Sequence, residues 1–259
     1  MIKRALVVVL LGALTGYAYL PAHAAHPLIT DDTGTQGKGK FQFELNAAYG
    51  MDRESAAGIT VESRELEFEA VLAFGIADPV DVFVAAPYAR VRETAGGVTS
   101  KENGPLDAAV GLKWRFYENA AGLSLGVKPA VILPTGDEEK GLGAGKTGYE
   151  LFFVATQEAE PWAFHLNLGY LRNNNDFDER KDLYHASLAT EHKIGSIRLA
   201  GNVGIERNSD KTADDDPAFG IVGIIYGIRE NLDIDAGYKI GLTKSETDGT
   251  LLAGLAYRF

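Results

Sequence analysis

The sequence predicts an all-β chain, a transmembrane up-and-down antiparallel β-barrel of about twelve strands, and three observations carry that prediction. Apolar and polar residues alternate with a period of two along most of the chain. The connectors between these runs are of two kinds, short and long, and the kinds themselves alternate. The final segment, Leu251 to Phe259, places Leu251, Ala253, Leu255, Tyr257 and Phe259 on one strand face and ends in a carboxy-terminal phenylalanine.

Taken in order, the chain begins with a basic pair, Lys3 and Arg4, an apolar run from Ala5 to Leu20, and Ala22-His23-Ala24. Residues 1–24 therefore read as a secretory signal peptide, because the apolar run is shorter than the ~20 residues a membrane helix needs. The chain has no cysteine, which excludes lipid attachment, disulfides and thiolate metal sites. Its net charge of −11, about −13 once Lys3 and Arg4 are removed, argues against nucleic acid as a partner. Residues 25–40 are polar and Gly-rich, and only Leu28 and Ile29 seek burial. They read as a free periplasmic segment in preference to a plug folded into the lumen.

Residues 41–259 carry the strands. Phe41, Phe43 and Leu45 interleave with Gln42, Glu44 and Asn46, and Leu66, Phe68 and Ala70 with Glu65, Glu67 and Glu69. Leu112, Trp114 and Phe116 alternate with Lys113 and Arg115, and Leu125 and Val127 with Ser124 and Lys128. The pattern returns with Trp162, Phe164 and Leu166 against His165 and Asn167, with Leu199 and Val203 against Arg198 and Asn202, and with Ile234 and Tyr238 against Asp233, Asp235 and Lys239. The tenth strand, Ala218 to Tyr226, blurs the alternation through Ile221, Ile224 and Ile225, so its register is not assigned. Tight turns fall near residues 77–79, 118–120, 158–161, 193–195 and 229–231, and longer polar loops near 51–58, 93–105, 135–147, 173–181, 207–217 and 243–249. An even number of strands with both termini on the short-turn side suits a barrel whose periplasmic turns are short.

Lipid satisfies no backbone donor or acceptor, so a sheet crosses a membrane only when closed. A closed barrel in lipid turns its apolar face outward, whereas a secreted β-sandwich or lipocalin-like barrel, the soluble alternative, turns it inward. Aromatic residues sort into two levels, with Tyr49, Tyr88, Tyr149, Tyr170 and Tyr184 near the loops and Phe74, Trp114, Phe116, Trp162 and Phe259 near the turns. Two girdles are what amphipathic rings favour at two interfaces. The terminal strand resembles the closing strand of bacterial outer-membrane barrels, which implies the outer membrane, with its lipid and lipopolysaccharide, as location and the barrel-insertion machinery as a partner.

The stretch His26 to Gly39 leading into Phe41-Gln42-Phe43-Glu44, the run Gly111-Leu112-Lys113-Trp114-Arg115-Phe116, the run Leu133-Pro134-Thr135-Gly136-Asp137 and the segment Ala253 to Phe259 resemble the outer-membrane family named for the meta-pathway of phenol degradation. The resemblance spans the whole chain after the signal peptide. It implies a transporter-like barrel without an agreed substrate or site.

Strand parity assigns Glu44, Glu65, Glu67, Glu69, Asp107, Lys113, Arg115, Lys128, Glu150, His165, Arg198, Asp233, Asp235, Lys239 and Arg258 to the lumen. Charges of both signs either line an aqueous path or pair and fill it. The leading function is passive uptake of a small solute, with an aromatic or other hydrophobic compound as the candidate class, and it calls for no catalytic residue, cofactor or metal. Two alternatives stand beside it. One is a lipid hydrolase using His185-Ala186-Ser187, whose spacing puts base and nucleophile on one strand face. The other is a closed structural barrel filled by Phe83, Phe152 and paired charges. Gly141 to Thr147 suggests a phosphate loop but has Lys140 where the pattern needs glycine. The acidic residues Asp176, Asp178, Glu179, Asp210 and Asp214 to Asp216 read as solvated loops.

Overall fold

Alternation with polar residues on one face and apolar residues on the other yields a single curved sheet that meets itself. The computed structural model describes residues 26–56 and 59–259; the expected signal peptide lies outside them. The strands are β1 (Phe41–Ala56), β2 (Ile59–Ala77), β3 (Val80–Ala95), β4 (Val98–Pro105), β5 (Ala108–Glu118), β6 (Leu123–Leu133), β7 (Gly148–Ala159), β8 (Trp162–Arg172), β9 (Asp182–Ile194), β10 (Ile197–Glu206), β11 (Ala218–Arg229), β12 (Leu232–Gly241) and β13 (Gly249–Arg258). Each pairs antiparallel with its neighbours, and β1 pairs with both β2 and β13. Because β4 and β5 each pair with a different stretch of β3, they are two lengths of one stave, and the barrel closes with twelve. Phe41 and Phe259 seal the seam, each donating its N–H to the other's carbonyl, at 2.8 and 2.9 Å.

The apolar face points outward. Leu45, Leu72, Val84, Leu151, Leu168, Leu188 and Val203 are exposed, while Glu44, Asn46, Lys113, Lys128, Asn167 and Asn202 are buried. This inversion of a soluble core excludes the sandwich and lipocalin-like alternatives. Trp114 and Phe116 meet edge to face at 5.8 Å on the turn side, where Phe41 stacks on both Phe74 and Phe259. Tyr170 and Tyr184 meet at 5.7 Å on the loop side. Leu168 lies mid-strand on the lipid face, between Phe153 and Ala186. Leu168→Arg is expected to destabilise the barrel by about 2–4 kcal/mol, measured by urea-dependent refolding into vesicles; a change below about 0.5 kcal/mol, as at an ordinary surface site, would contradict the outward assignment.

Two expectations are corrected here. Of the stretches expected as loops at 51–58 and 93–105, residues 51–56 and most of 93–105 are strand: β1, β2 and β3 run 16, 19 and 16 residues, against the ~9–11 that cross a membrane. The extra residues rise as two polar hairpins above the membrane, held by Arg53–Glu62 at 3.7 Å and by the Ser55–Thr60 and Thr94–Thr99 hydroxyl pairs, each at 3.0 Å. With both faces in water, such strands have no reason to alternate, which is why they read as loops.

The second correction concerns residues 25–40. From His26 to Thr33 this segment lies inside the barrel, with Leu28, Ile29, Thr30, Asp31 and Thr33 buried, and residues 38–40 are exposed at its mouth. The strand of uncertain register explains why. In β11, Phe219, Ile221 and Ile225 point inward and Val222, Ile224 and Tyr226 outward. Ile29 packs among Ala48, Phe219, Ile221 and Leu252. An apolar patch on the inner wall answers an apolar patch on the segment, and the two together erase the alternation of β11.

A candidate functional site in the barrel lumen

The site is the middle of the lumen, built jointly by the wall and residues 26–36. Inward-facing polar side chains of several strands reach the segment at the right height. Asn202 on β10 accepts the N–H groups of Ile29 and Thr30 at 2.8 and 3.1 Å and donates to the Thr30 hydroxyl at 2.6 Å. Thr30 in turn donates to Ser187 on β9 at 2.7 Å. Thr33 donates its N–H to Thr156 on β7 at 3.1 Å and shares a hydroxyl hydrogen bond with Ser124 on β6. Gln36 donates its N–H to the Asp81 carboxylate at 3.0 and 3.2 Å, and Thr35 reaches the Asp78 carbonyl at 2.7 Å. A buried backbone must find partners, and here side chains take the place of a sheet ladder.

Asp31 is the centre of this arrangement. Its two carboxylate oxygens receive Lys113 Nζ at 2.9 Å and Lys128 Nζ at 3.1 Å. The Asp31 and Lys128 side chains are each 1% exposed. With its amide turned so that oxygen faces the Asp31 N–H, Asn167 accepts there at 2.7 Å and donates to the Asp31 carbonyl at 2.9 Å. Lys113 also reaches Asp32 at 3.2 Å. The Lys128 ammonium lies 5.4 Å from the centre of the Phe83 ring. Phe83 itself belongs to an apolar cluster with Val71, Ala73, Ala85 and Ala130.

The chain reaches this depth because the wall is hollowed for it. Gly223 on β11 and Gly237 on β12 face each other across the ladder. A Cβ on either would lie 2.3 or 2.7 Å from Pro27. Beside them His26 pairs with Asp235. At the exit, a Cβ on Gly75 would stand 2.0 Å from the Gly37 carbonyl oxygen.

The residues assigned to the lumen from the sequence divide into separate groups. Lys113 and Lys128 meet at Asp31. Arg198 and Arg258 converge on Asp233 at 3.3 and 2.9 Å, near the turn-side mouth, and Arg198 also pairs with Glu191 at 3.4 Å. They border a cavity of about 490 Å³ that is lined also by Glu44, Asp81 and Asp235. Lys239 reaches Glu246 in the last loop at 2.8 Å. Arg115 pairs with Glu118 at 3.4 Å beside the turn. Asp107 accepts the N–H groups of Gly136 and Ala144 at 2.9 and 2.7 Å, so it anchors the loop after β6 and not the path. His165 meets the Thr156 hydroxyl at 3.0 Å. Glu65, Glu67, Glu69 and Glu150 line the wall, with Glu67, Glu69 and Glu150 buried. Sequence reasoning missed Asp31, Thr30, Thr33, Asn167 and Asn202 as members of the site. The signal available was Asp31 itself, an acidic residue beside the apolar pair Leu28 and Ile29 in a chain whose lumen carried lysines.

Two other motifs find their places. His185 Nε2 and Ser187 Oγ are 2.9 Å apart, and His185 Nδ1 is 3.3 Å from Glu206. The pair faces the lumen, both members are buried, and Ser187 is engaged by Thr30, so the relay holds the segment down. The acidic loops link to one another: Lys146 with Asp176, Lys211 with Asp178, and Asp215 with the Lys244 and Ser245 N–H groups at 3.2 and 3.1 Å. The Lys211 ammonium holds the Asp178 carboxyl below the usual carboxylate range. Among the described residues, no three His, Asp or Glu side chains converge as metal ligands.

Comparison with known proteins agrees with the barrel fold. An outer-membrane channel from Pseudomonas putida F1 superposes with a TM-score of 0.71 at 16% identity, over 88% of this chain and 98% of that one. The translocator domain of the autotransporter NalP from Neisseria meningitidis gives 0.55 at 13% identity, over 88% and 91%. The KdgM porin gives 0.54 at 8% identity, over 83% and 99%. No curated protein matches the sequence. A closed barrel with an apolar belt and two aromatic girdles places the protein in the bacterial outer membrane. Residues 26–259 match the profile described as "Putative MetA-pathway of phenol degradation", and the chain belongs to that family.

Proposed function

We propose that this protein is an outer-membrane channel for passive passage of a small solute, and that its own amino-terminal segment closes the lumen. One observation supports this reading above others. Among the described residues, 26–36 bond to the wall through side chains and to no strand backbone, so the segment is docked in the barrel without being part of the sheet. A ladder strand would be a permanent fill, whereas individual side-chain contacts of about 1 kcal/mol each can be exchanged. The barrel-insertion machinery and lipopolysaccharide complete the expected partners, the first through β13 and the second around the loop-side girdle.

The absence of cysteine makes the test clean. Thr33→Cys with Ser124→Cys replaces a hydroxyl–hydroxyl contact by a potential disulfide. The oxidised protein is expected to give no conductance steps in a planar bilayer, and reduction is expected to restore them. Equal conductance in both states would show that the segment does not gate the path.

A further inference from the structure

We propose that the solute class of this channel is the small carboxylate, and that Lys113 and Lys128 form the clamp that reads it, with Asp31 as a tethered occupant. The inference rests on the channel reading above and deepens it. Two kinds of charge pairing occur in the lumen. Arg198, Arg258 and Lys239 find partners on other strands or loops of the barrel, at Glu191, Asp233 and Glu246. Among the described residues, Lys113 and Lys128 pair only with Asp31 and Asp32, both on the segment. The wall thus supplies two deeply placed cations, and the segment supplies the anion.

The clamp has the shape of its occupant. Each ammonium meets a different oxygen of one carboxylate, so it suits a two-oxygen anion with the charge spread between them. Beyond the charge, the lining turns apolar through Phe83, Val71 and Ala130, so an incoming acid with a hydrocarbon or aromatic body would bury it there. When the segment withdraws, two buried ammonium groups lose their partners Asp31 and Asp32, and a permeating carboxylate takes the place of Asp31 between them. Glu44, Glu69 and Glu150 share the inner wall but make no ion pair with either lysine among the described residues.

The experiment compares benzoate with benzamide, aromatic bodies of similar size differing in charge, at equal ionic strength on full-length protein in a planar bilayer. Heat-modifiable migration on gels establishes that each variant is folded. Benzoate is expected to raise the opening frequency about tenfold in a saturable manner, and benzamide to leave it unchanged. Lys128→Gln combined with Asp31→Asn removes both charges of the innermost pair together, and is expected to abolish the difference between the two solutes. Equal responses to benzoate and benzamide, or an undiminished benzoate response in the double variant, would overturn the carboxylate assignment and leave the channel standing. A folded Asp31→Asn single variant that conducts nothing would instead overturn the channel reading, and this inference with it.

Discussion

Asp31→Ala in the full-length protein is expected to convert an occluded barrel into a conducting one. Lys128 has its side chain 1% exposed beneath the docked segment, and Asp31 bridges it to Lys113, which Asp32 also pairs. Removing one partner of a buried ion pair costs about 3–5 kcal/mol, because the remaining charge is stranded. In this barrel the protein has an escape from that cost: the segment undocks and water reaches the lysines. The docking equilibrium is therefore expected to fall by roughly two to four orders of magnitude. Single-channel recording checks it, with frequent or persistent open levels against rare ones in the parent. A current trace identical to the parent's would mean that the charge pair does not hold the segment.

Gly223→Leu attacks the same docking from the opposite end, by volume and not by charge. Its Cβ alone would stand 2.3 Å from Pro27 Cγ and 3.1 Å from the Ala236 carbonyl oxygen, so the wall cannot yield and the segment must. Overpacking of this kind costs about 1–3 kcal/mol. The amides of Ile29 and Thr30, now held by Asn202, are expected to exchange with solvent about five- to 150-fold faster. Gly220→Ala on the same strand serves as the comparison, since its Cβ meets nothing closer than Ile240 at 3.7 Å. It is expected to leave those amides protected. Unchanged exchange in Gly223→Leu would show that the glycine cradle does not set the depth of the segment.

How much of this was legible in the sequence follows from where each residue's surroundings come from. A membrane strand is told by its two faces, because lipid lies on one side along its whole crossing. That rule recovered the strands from Phe41 to Phe259 and the inward parity of Glu44, Lys113, Lys128 and Lys239. It failed at β1, β2 and β3 beyond the membrane, where water lies on both sides and polar hairpins look like loops. It failed again at β11, where the inner face meets Ile29 instead of water. The segment itself was opaque for a different reason: His26 to Gln36 has no local structure of its own, and its placement depends on Asn202, Ser187, Thr156, Lys128 and Asp235 acting together. No window of neighbouring residues contains that information. Conversely, the motif that looked most catalytic, His185 and Ser187, is explained by the Thr30 hydroxyl it receives.

The reach of those contacts in sequence has a consequence for assembly. Thr33 and Ser124 are 91 residues apart, Ile29 and Asn202 are 173, and His26 and Asp235 are 209. Contacts of such high order form late, since each requires the closure entropy of everything between to have been spent already. The receiving surface for Ile29 includes Leu252 on β13, the strand that pairs with β1 to close the sheet. A nascent barrel therefore has an empty bore and a loose leading end, and the bore fills only after the first and last strands have met. If the segment closes the lumen as proposed, that closure is expected to be the last step of folding.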